Sequence, residues 1–225
     1  MQILFFGRKN NSTTYRCIKH LAGLGFKVDT ILSETRKDKL PDDLCCIKYD
    51  YIICYRSYFI LPKYLLESTK YFNINFHPGS PKYPGSGGIN LALLNGDEEF
   101  GVTAHLMDEK VDAGPIIECR NFKVKESDNL ISLLERTHDF LFCLFLELTT
   151  RISENGNQYL EESLKNNCFK WSDKKTKISE IDSLQIISPN ISKSELKKRI
   201  RSLNHPDFPL EVNIHNSKFI YKGEI

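Results

Sequence analysis

The chain opens with a short apolar block, residues 2–6, closed by Gly7, and then spaces Tyr15, Ile18, Leu21, Ala22 and Leu24 at helical intervals over residues 13–25. An unbroken apolar run followed by a 3.6-residue period predicts strand, turn and helix. Residues 28–32 and 51–54 repeat the strand signal, and runs this continuously apolar suit strands covered on both faces, as in a parallel sheet under helices. Pro62 is well placed in the first turn of the next helix. Residues 71–76 form a further strand, whose exit carries three prolines and four glycines before Ile89. Residues 100–107 and 115–124 read as two more strands joined by a loop over 108–114, and residues 129–152 as a long amphipathic helix whose aromatic stripe belongs to the core.

Beyond residue 155 the periodicity weakens. A helix near 159–165, a polar segment over 172–183, a short helix at 194–202 and a β-hairpin with arms at 210–214 and 219–221 around His215-Asn216-Ser217 complete the pattern. A two-stranded hairpin is marginal alone in water, so this one must pack on the main domain or on another subunit. The expected architecture is α/β: a Rossmann-like, mostly parallel sheet with covering helices over residues 1–155, and a C-terminal extension of helices and a hairpin over 156–225.

Composition narrows the function. A net charge of +2 from 31 basic and 29 acidic residues lacks the broad positive field that nucleic-acid binding requires, and the basic run at 193–201 reads as a solvated helix face. Seven cysteines, at 17, 45, 46, 54, 119, 143 and 168, form neither a C-x-x-C pair nor a metal-ligand spacing, so reduced thiols and no metal are expected. The N-terminal run is strand-length and lacks the charged start of a signal peptide, and residues 140–148 fall short of a membrane span. A cytoplasmic protein without nucleic-acid or membrane partners is expected.

The chemistry concentrates in residues 73–117. Asn75 and His77, two apart on a strand, share a face at its exit, and the 108–114 loop is placed to bring Asp112 to them. Ligands in open α/β sheets sit at the carboxyl ends of the strands. An amide donor, an imidazole and a carboxylate are what amine acylation requires: a donor for the developing oxyanion and an acceptor for the amine proton. Each residue also has a structural alternative, Asn75 as a turn cap, His77 as a buried histidine and Asp112 as a turn former.

These segments carry a resemblance. Asn75-Phe76-His77, the Pro81-Lys82-Tyr83-Pro84-Gly85 turn, residues 101–105 ending at His105, and Asp112-Ala113-Gly114-Pro115-Ile116-Ile117 resemble the catalytic domain of folate-dependent formyltransferases, well over residues 51–124 and loosely over the first fifty. The resemblance implies N10-formyltetrahydrofolate as cosubstrate and direct attack of a substrate amine on the formyl carbon. It assigns Asn75 and His77 to oxyanion stabilisation and Asp112 to positioning His77, with the proton going to either His77 or Asp112, and gives His105 a supporting place. Tyr58, Phe59, Ile60 and Leu61, with Asp108 and Gly114, are implied for the folate pocket.

Within that family the form H-P-G-x-P-x-Y-P-G, one residue shorter after His77 than usual, is similar to the bacterial nucleotide-sugar N-formyltransferases. The first loop, Gly7-Arg8-Lys9-Asn10-Asn11-Ser12, is not the glycine- and serine-rich phosphate cradle of the purine enzyme, and the mixed-charge C-terminal segment is unlike the basic tRNA-binding domain. The acceptor implied is dTDP-4-amino-4,6-dideoxyglucose for surface polysaccharide such as O-antigen, with a GDP-linked sugar, a 3-amino isomer or another small amine as alternatives, and a homodimer through the C-terminal segment. Arg8, Lys9, Asn10 and Lys82 are candidates for the diphosphate, and Tyr83 and Trp171 for the sugar or base, while Phe169 fits the core better than a stack. An NAD-linked oxidoreductase would need a G-x-G-x-x-G that Gly7-Arg8-Lys9-Asn10 lacks, and a folate-binding protein without activity would not need Asn75, His77 and Asp112 together.

Overall fold

The computed structural model describes residues 1–41, 44, 47–215 and 217–223; Cys45, Cys46 and Asn216 lie outside the described residues. A six-stranded sheet runs in the order β2-β1-β3-β4-β5-β6, built from β1 (Gln2–Arg8), β2 (Lys27–Ser33), β3 (Tyr51–Tyr55), β4 (Phe72–His77), β5 (Glu99–Leu106) and β6 (Ile116–Lys123). β1 to β4 pair in parallel; β5 lies antiparallel between β4 and β6, so five strands share one direction and β5 alone opposes them. The mostly parallel, helix-covered architecture expected from the apolar runs is the one observed.

Residue alternation splits the core. Ile3, Phe5, Tyr51, Ile53 and Tyr55 pack with the residues of α1 (Ser12–Gly23) and α4 (Leu130–Asn155), whereas Leu4, Phe6, Ile52 and Cys54 pack with Leu65 and Leu66 of α2 (Lys63–Glu67). Both faces of the central strands are thus covered, which is why their sequences lack polar alternation. α4 begins at a reciprocal cap, in which Asn129 accepts from the Ser132 amide and Ser132 from the Asn129 amide. Its Phe145 is fully buried among Phe5, Tyr55 and Phe76, with ring centroids 6.2, 5.4 and 4.9 Å away.

Three elements were not anticipated. α3 (Gly88–Asn95) begins and ends at glycines with left-handed φ, Gly87 and Gly96, so the glycine-rich signal of a turn conceals a short helix. α6 (Ile178–Gln185) lies within the expected polar segment, burying only Ile181. β7 (Ile186–Ile187) pairs in parallel with β8 (Glu211–Ile214), which pairs antiparallel with β9 (Ser217–Ile220), so the hairpin is the edge of a three-stranded sheet. α5 (Asn157–Asn166) and α7 (Lys193–Leu203) complete the chain, and Leu203, Leu210 and Ile187 pack with Ile181 against Leu91 and Leu94 of α3. No helix among the described residues is long and apolar enough to cross a membrane.

Phe145→Ala should destabilise the fold by about 3–5 kcal/mol, because it opens a cavity where β1, β3, β4 and α4 meet. Urea unfolding followed by far-ultraviolet circular dichroism measures it, and a loss below about 1 kcal/mol would contradict this account of the core.

Candidate active site

β4 and β5 set three of the polar groups. Their antiparallel register puts Asn75 opposite His105 and His77 opposite Thr103, while the β5–β6 loop folds back to deliver Asp112. Asp112 holds φ at 47°, a left-handed conformation that aspartate accepts more readily than most residues. Its carboxylate is buried, with Oδ2 3.3 Å from His77 Nδ1 and 2.9 Å from the Gly85 N–H that donates to it, and Oδ1 3.3 Å from His105 Nε2. Asn75 Nδ2 lies 3.0 Å from His105 Nε2 and 3.5 Å from Asp112 Oδ1. Asn75, His77, His105 and Asp112 therefore form one constellation.

The hydrogen-bond network assigns the protons. The Leu106 carbonyl, 2.7 Å from His105 Nδ1, can only accept, so Nδ1 carries a hydrogen, and Nε2 lies between the Asn75 amide at 3.0 Å and Asp112 Oδ1 at 3.3 Å. Asn75 is thereby fixed with its NH2 towards the cluster, and the hydrogen on the 3.5 Å contact is only weakly engaged. His77 differs: Nδ1 faces the carboxylate and Nε2 faces the Tyr83 carbonyl at 3.3 Å, so both ring nitrogens meet acceptors. The imidazolium would satisfy both, but burial, opposed by the Asp112 charge, pulls the His77 pKa below its ordinary value. Burial alone would raise the Asp112 pKa; the His77 charge, the His105 contacts and the Gly85 N–H outweigh it and hold it at about 2. The resting pair is a carboxylate beside a neutral imidazole with a place ready for a second proton.

The segment 167–177 straps this cluster shut. Asn167 donates to the Ile116 and Ile117 carbonyls, the Ser172 amide to Pro81, the Thr176 amide to Pro84, and the Lys175 ammonium to Val111. Trp171 donates from its indole nitrogen to the Gly114 carbonyl at 2.8 Å and sets its ring edge-on to His77 and His105, with centroids 5.7 and 5.0 Å apart. The proline-glycine turn and the Asp112 loop are thus held by one strand of chain. Gly85 shows why the turn is glycine-rich: its φ is 99°, and a Cβ there would come within 2.3 Å of the Thr176 carbonyl oxygen.

The remaining candidates separate. Lys82 is paired with Asp97 through both carboxylate oxygens at 2.8 Å, and Lys9 with Glu34 at 2.6 Å. The Tyr83 ring is buried and its hydroxyl is used by Asp97 and Asn95, so its backbone carbonyl meets the site instead. Trp171 packs on the His77 and His105 imidazoles, where its indole N–H is already engaged. Phe169 is not in the core as expected but 47% exposed, because the strap turns it outward. Asn10 holds φ at 57° in the exposed turn after β1, and Arg8 is half-buried beside Arg56. Asp108 is exposed and bonded to the next amide, while Gly114 is buried where a Cβ would strike the Leu106 carbonyl. Tyr58 and Phe59 spend their amides on Ser33 and Ser57; Leu61 is buried and Ile60 71% exposed. The contributions of Gly85, Tyr83 and Leu106 are main-chain groups and leave no side-chain signal in a sequence.

The histidines give a test in pH. A pKa lowered by folding means that the unfolded chain binds more protons, so the stability from a neutral His77 is complete above about 6.5 and declines as pH falls towards the folded value. His138, pushed down to about 3 by burial and the Arg56 and Arg8 charges, acts in the same direction. Melting temperatures between pH 7 and about 5 should therefore fall less steeply for His77→Gln than for the wild type, and less again for the double variant with His138→Gln. Equal slopes for all three would refute the assignment.

Comparison with known proteins shows what the chain is similar to. The family model described as formyl transferase matches residues 4–148. Methionyl-tRNA formyltransferase of Wolbachia pipientis subsp. Culex pipiens is 33% identical over 128 residues, covering 56% of this chain and 42% of that protein. The chain spans about two-fifths of the length of the curated relatives it matches. Among solved structures, a 4-N formyltransferase from Francisella tularensis superposes with a TM-score of 0.78 at 20% identity, covering 99% of this chain and 97% of that one. An N-formyltransferase from Helicobacter canadensis, in complex with folinic acid and dTDP-3-aminofucose, gives 0.70 at 18% identity, covering 96% and 85%. With the family match spanning β1 to α4 and the four polar side chains gathered within it, the chain belongs to the formyl transferase family.

Proposed function

We propose that this protein transfers the formyl group of N10-formyltetrahydrofolate to the amine of a nucleotide-linked amino sugar. The observation that carries the reading is the convergence of Asn75, His77, His105 and Asp112 under a strap drawn from the C-terminal segment. That segment lies within the 99% of this chain that superposes on the Francisella 4-N formyltransferase. As the first acceptor we take dTDP-4-amino-4,6-dideoxyglucose, made for surface polysaccharide in the cytoplasm, ahead of a 3-amino isomer or a GDP-linked sugar. Exposed Ile214, Phe219 and Ile220 on the β8–β9 edge support association of two copies there.

The folate would supply an activated one-carbon unit. The segment after β3 suits it: Ile60 and Leu61 keep main-chain N–H groups without a protein partner among the described residues, as reading the polar edge of a flat ring requires. Charge developing on the acyl oxygen meets the free amide hydrogen of Asn75, whose orientation His105 fixes. The attacking amine must lose a proton as its bond to carbon forms. His77 takes it, because both its ring nitrogens face acceptors that satisfy the imidazolium without rearrangement, and Asp112 stabilises the charge that results. The proton can then return to the departing nitrogen, which balances the transfer.

A formyl-transfer assay against dTDP- and GDP-linked 3- and 4-amino sugars tests the acceptor; no turnover with any of them would refute it. Asn75→Ala should lower kcat by about 10²–10³-fold and His77→Ala by about 10²–10⁴-fold. In Asp112→Asn, which preserves the left-handed loop, the residual activity should keep an acid limb in kcat/KM displaced to lower pH, because the negative charge that raises the His77 pKa is gone. A limb that moved upward, or vanished with Asp112 while His77 remained, would make Asp112 the base.

A further inference from the structure

Two arginines flank the carboxyl ends of adjacent central strands without an acid to neutralise either. Arg8 closes β1 and Arg56 follows β3, and the chain leaves these strands in opposite directions, since β1 leads out to β2 and β3 leads to β4. The gap between them is where the strand order reverses, the position at which open α/β sheets hold ligands. Both guanidinium groups are half-buried. Arg8 donates from Nε to the Arg56 carbonyl at 2.7 Å and lies 4.1 Å above the Tyr58 ring, contacts that leave its two terminal nitrogens without a hydrogen-bond partner among the described residues. The Arg56 guanidinium makes no hydrogen bond or ion pair among the described residues, and Arg56 holds φ at 54°, an unfavourable conformation for an arginine.

The contrast with the rest of the chain is sharp. The guanidinium groups of the other half-buried arginines each have a partner: Arg120 has Glu118 and Glu147, Arg136 has Asp128, Arg199 has Glu195, and Arg201 has the Asp128 and Lys125 carbonyls. Burying charge without a partner is costly, and two like charges together cost more. The surroundings add to the positive potential. α1 begins here with a first turn free of acidic residues, its Ser12 and Thr13 amides pointing out of the helix, and Arg36 lies within electrostatic reach of Arg8. Burial, then the Arg8 charge, draws the Arg56 pKa down, as expected of a cation waiting for an anion.

We infer that Arg8 and Arg56, between the ends of β1 and β3, form a clamp for a phosphate or diphosphate group, with His138 on α4 behind them. Under the proposed function, on which this identification of the ligand rests, the clamp holds the diphosphate of the nucleotide sugar. The spacing suits it, because β1 stands two strand intervals, roughly 10 Å, from β4 and its Asn75 and His77, a gap that a hexose linked through its anomeric phosphate bridges. The paired lysines Lys9 and Lys82 leave that role to the arginines, of which Arg56 carries no motif to mark it.

Arg56→Gly is the informative variant, because glycine accepts the positive φ and the fold is spared while the charge is removed; Arg56→Lys retains charge without the fork. Binding of inorganic pyrophosphate, dTDP and folinic acid would be followed by isothermal titration calorimetry on the full chain. The inference expects pyrophosphate and dTDP to weaken at least tenfold in Arg56→Gly, with partial recovery in Arg56→Lys and folinic acid unchanged. In the transfer assay, KM for the amino sugar should rise by the same factor at constant kcat. Pyrophosphate and dTDP affinities within twofold of wild type would overturn it, as would a loss confined to folinic acid, which would assign the clamp to the folate carboxylates. If no amino sugar is formylated but pyrophosphate still binds through Arg56, the clamp stands and the acceptor is wrong.

Discussion

A buried carboxylate between two imidazoles is the constraint to which the rest of this structure answers. Asp112 would be forced neutral by its burial if His77, His105 and the Gly85 amide did not surround it. Keeping those partners in place requires a β4–β5 register that puts Asn75 beside His105, a turn that presents a main-chain N–H, and a loop that accepts a left-handed aspartate. Each requirement is local. Together they fix where the sheet ends, why the turn is rich in proline and glycine, and why the opposing strand is β5.

The same cluster separates holding from reacting. His105 is held at Nδ1 by the Leu106 carbonyl and at Nε2 lies between the Asn75 amide and Asp112, whereas His77 meets only acceptors and can gain a proton without rearrangement. Both histidines face a backbone carbonyl and the Asp112 carboxylate, and they differ because His105 Nε2 also meets the Asn75 amide whereas His77 meets acceptors alone. Sequence treats them as the same letter.

Much of the fold was legible because burial on two faces writes itself as apolar runs: β1, β3, β4 and the long α4 follow directly from them. The site was legible in its side chains, since Asn75, His77, His105 and Asp112 sit at strand exits and in one loop. What stayed hidden has physical reasons. α3 is framed by left-handed glycines that read as a turn, and α6 buries a single isoleucine and so has little periodicity to show. Trp171 and Tyr83 were expected to face a ligand, but one seals the imidazoles and the other offers its carbonyl, because the strap decides their direction through contacts with residues far away in sequence.

That strap also sets an order of events. Proteins are made from the N-terminus, and domains fold as they emerge. The sheet that carries Asn75, His77 and Asp112 can therefore assemble while residues 167–177 are still being synthesised, leaving the imidazoles uncovered and the glycine turn untethered. Between the synthesis of β6 and that of the strap, a nascent chain thus carries Asn75, His77 and Asp112 in place but unsecured, and residues 167–177 work as a latch.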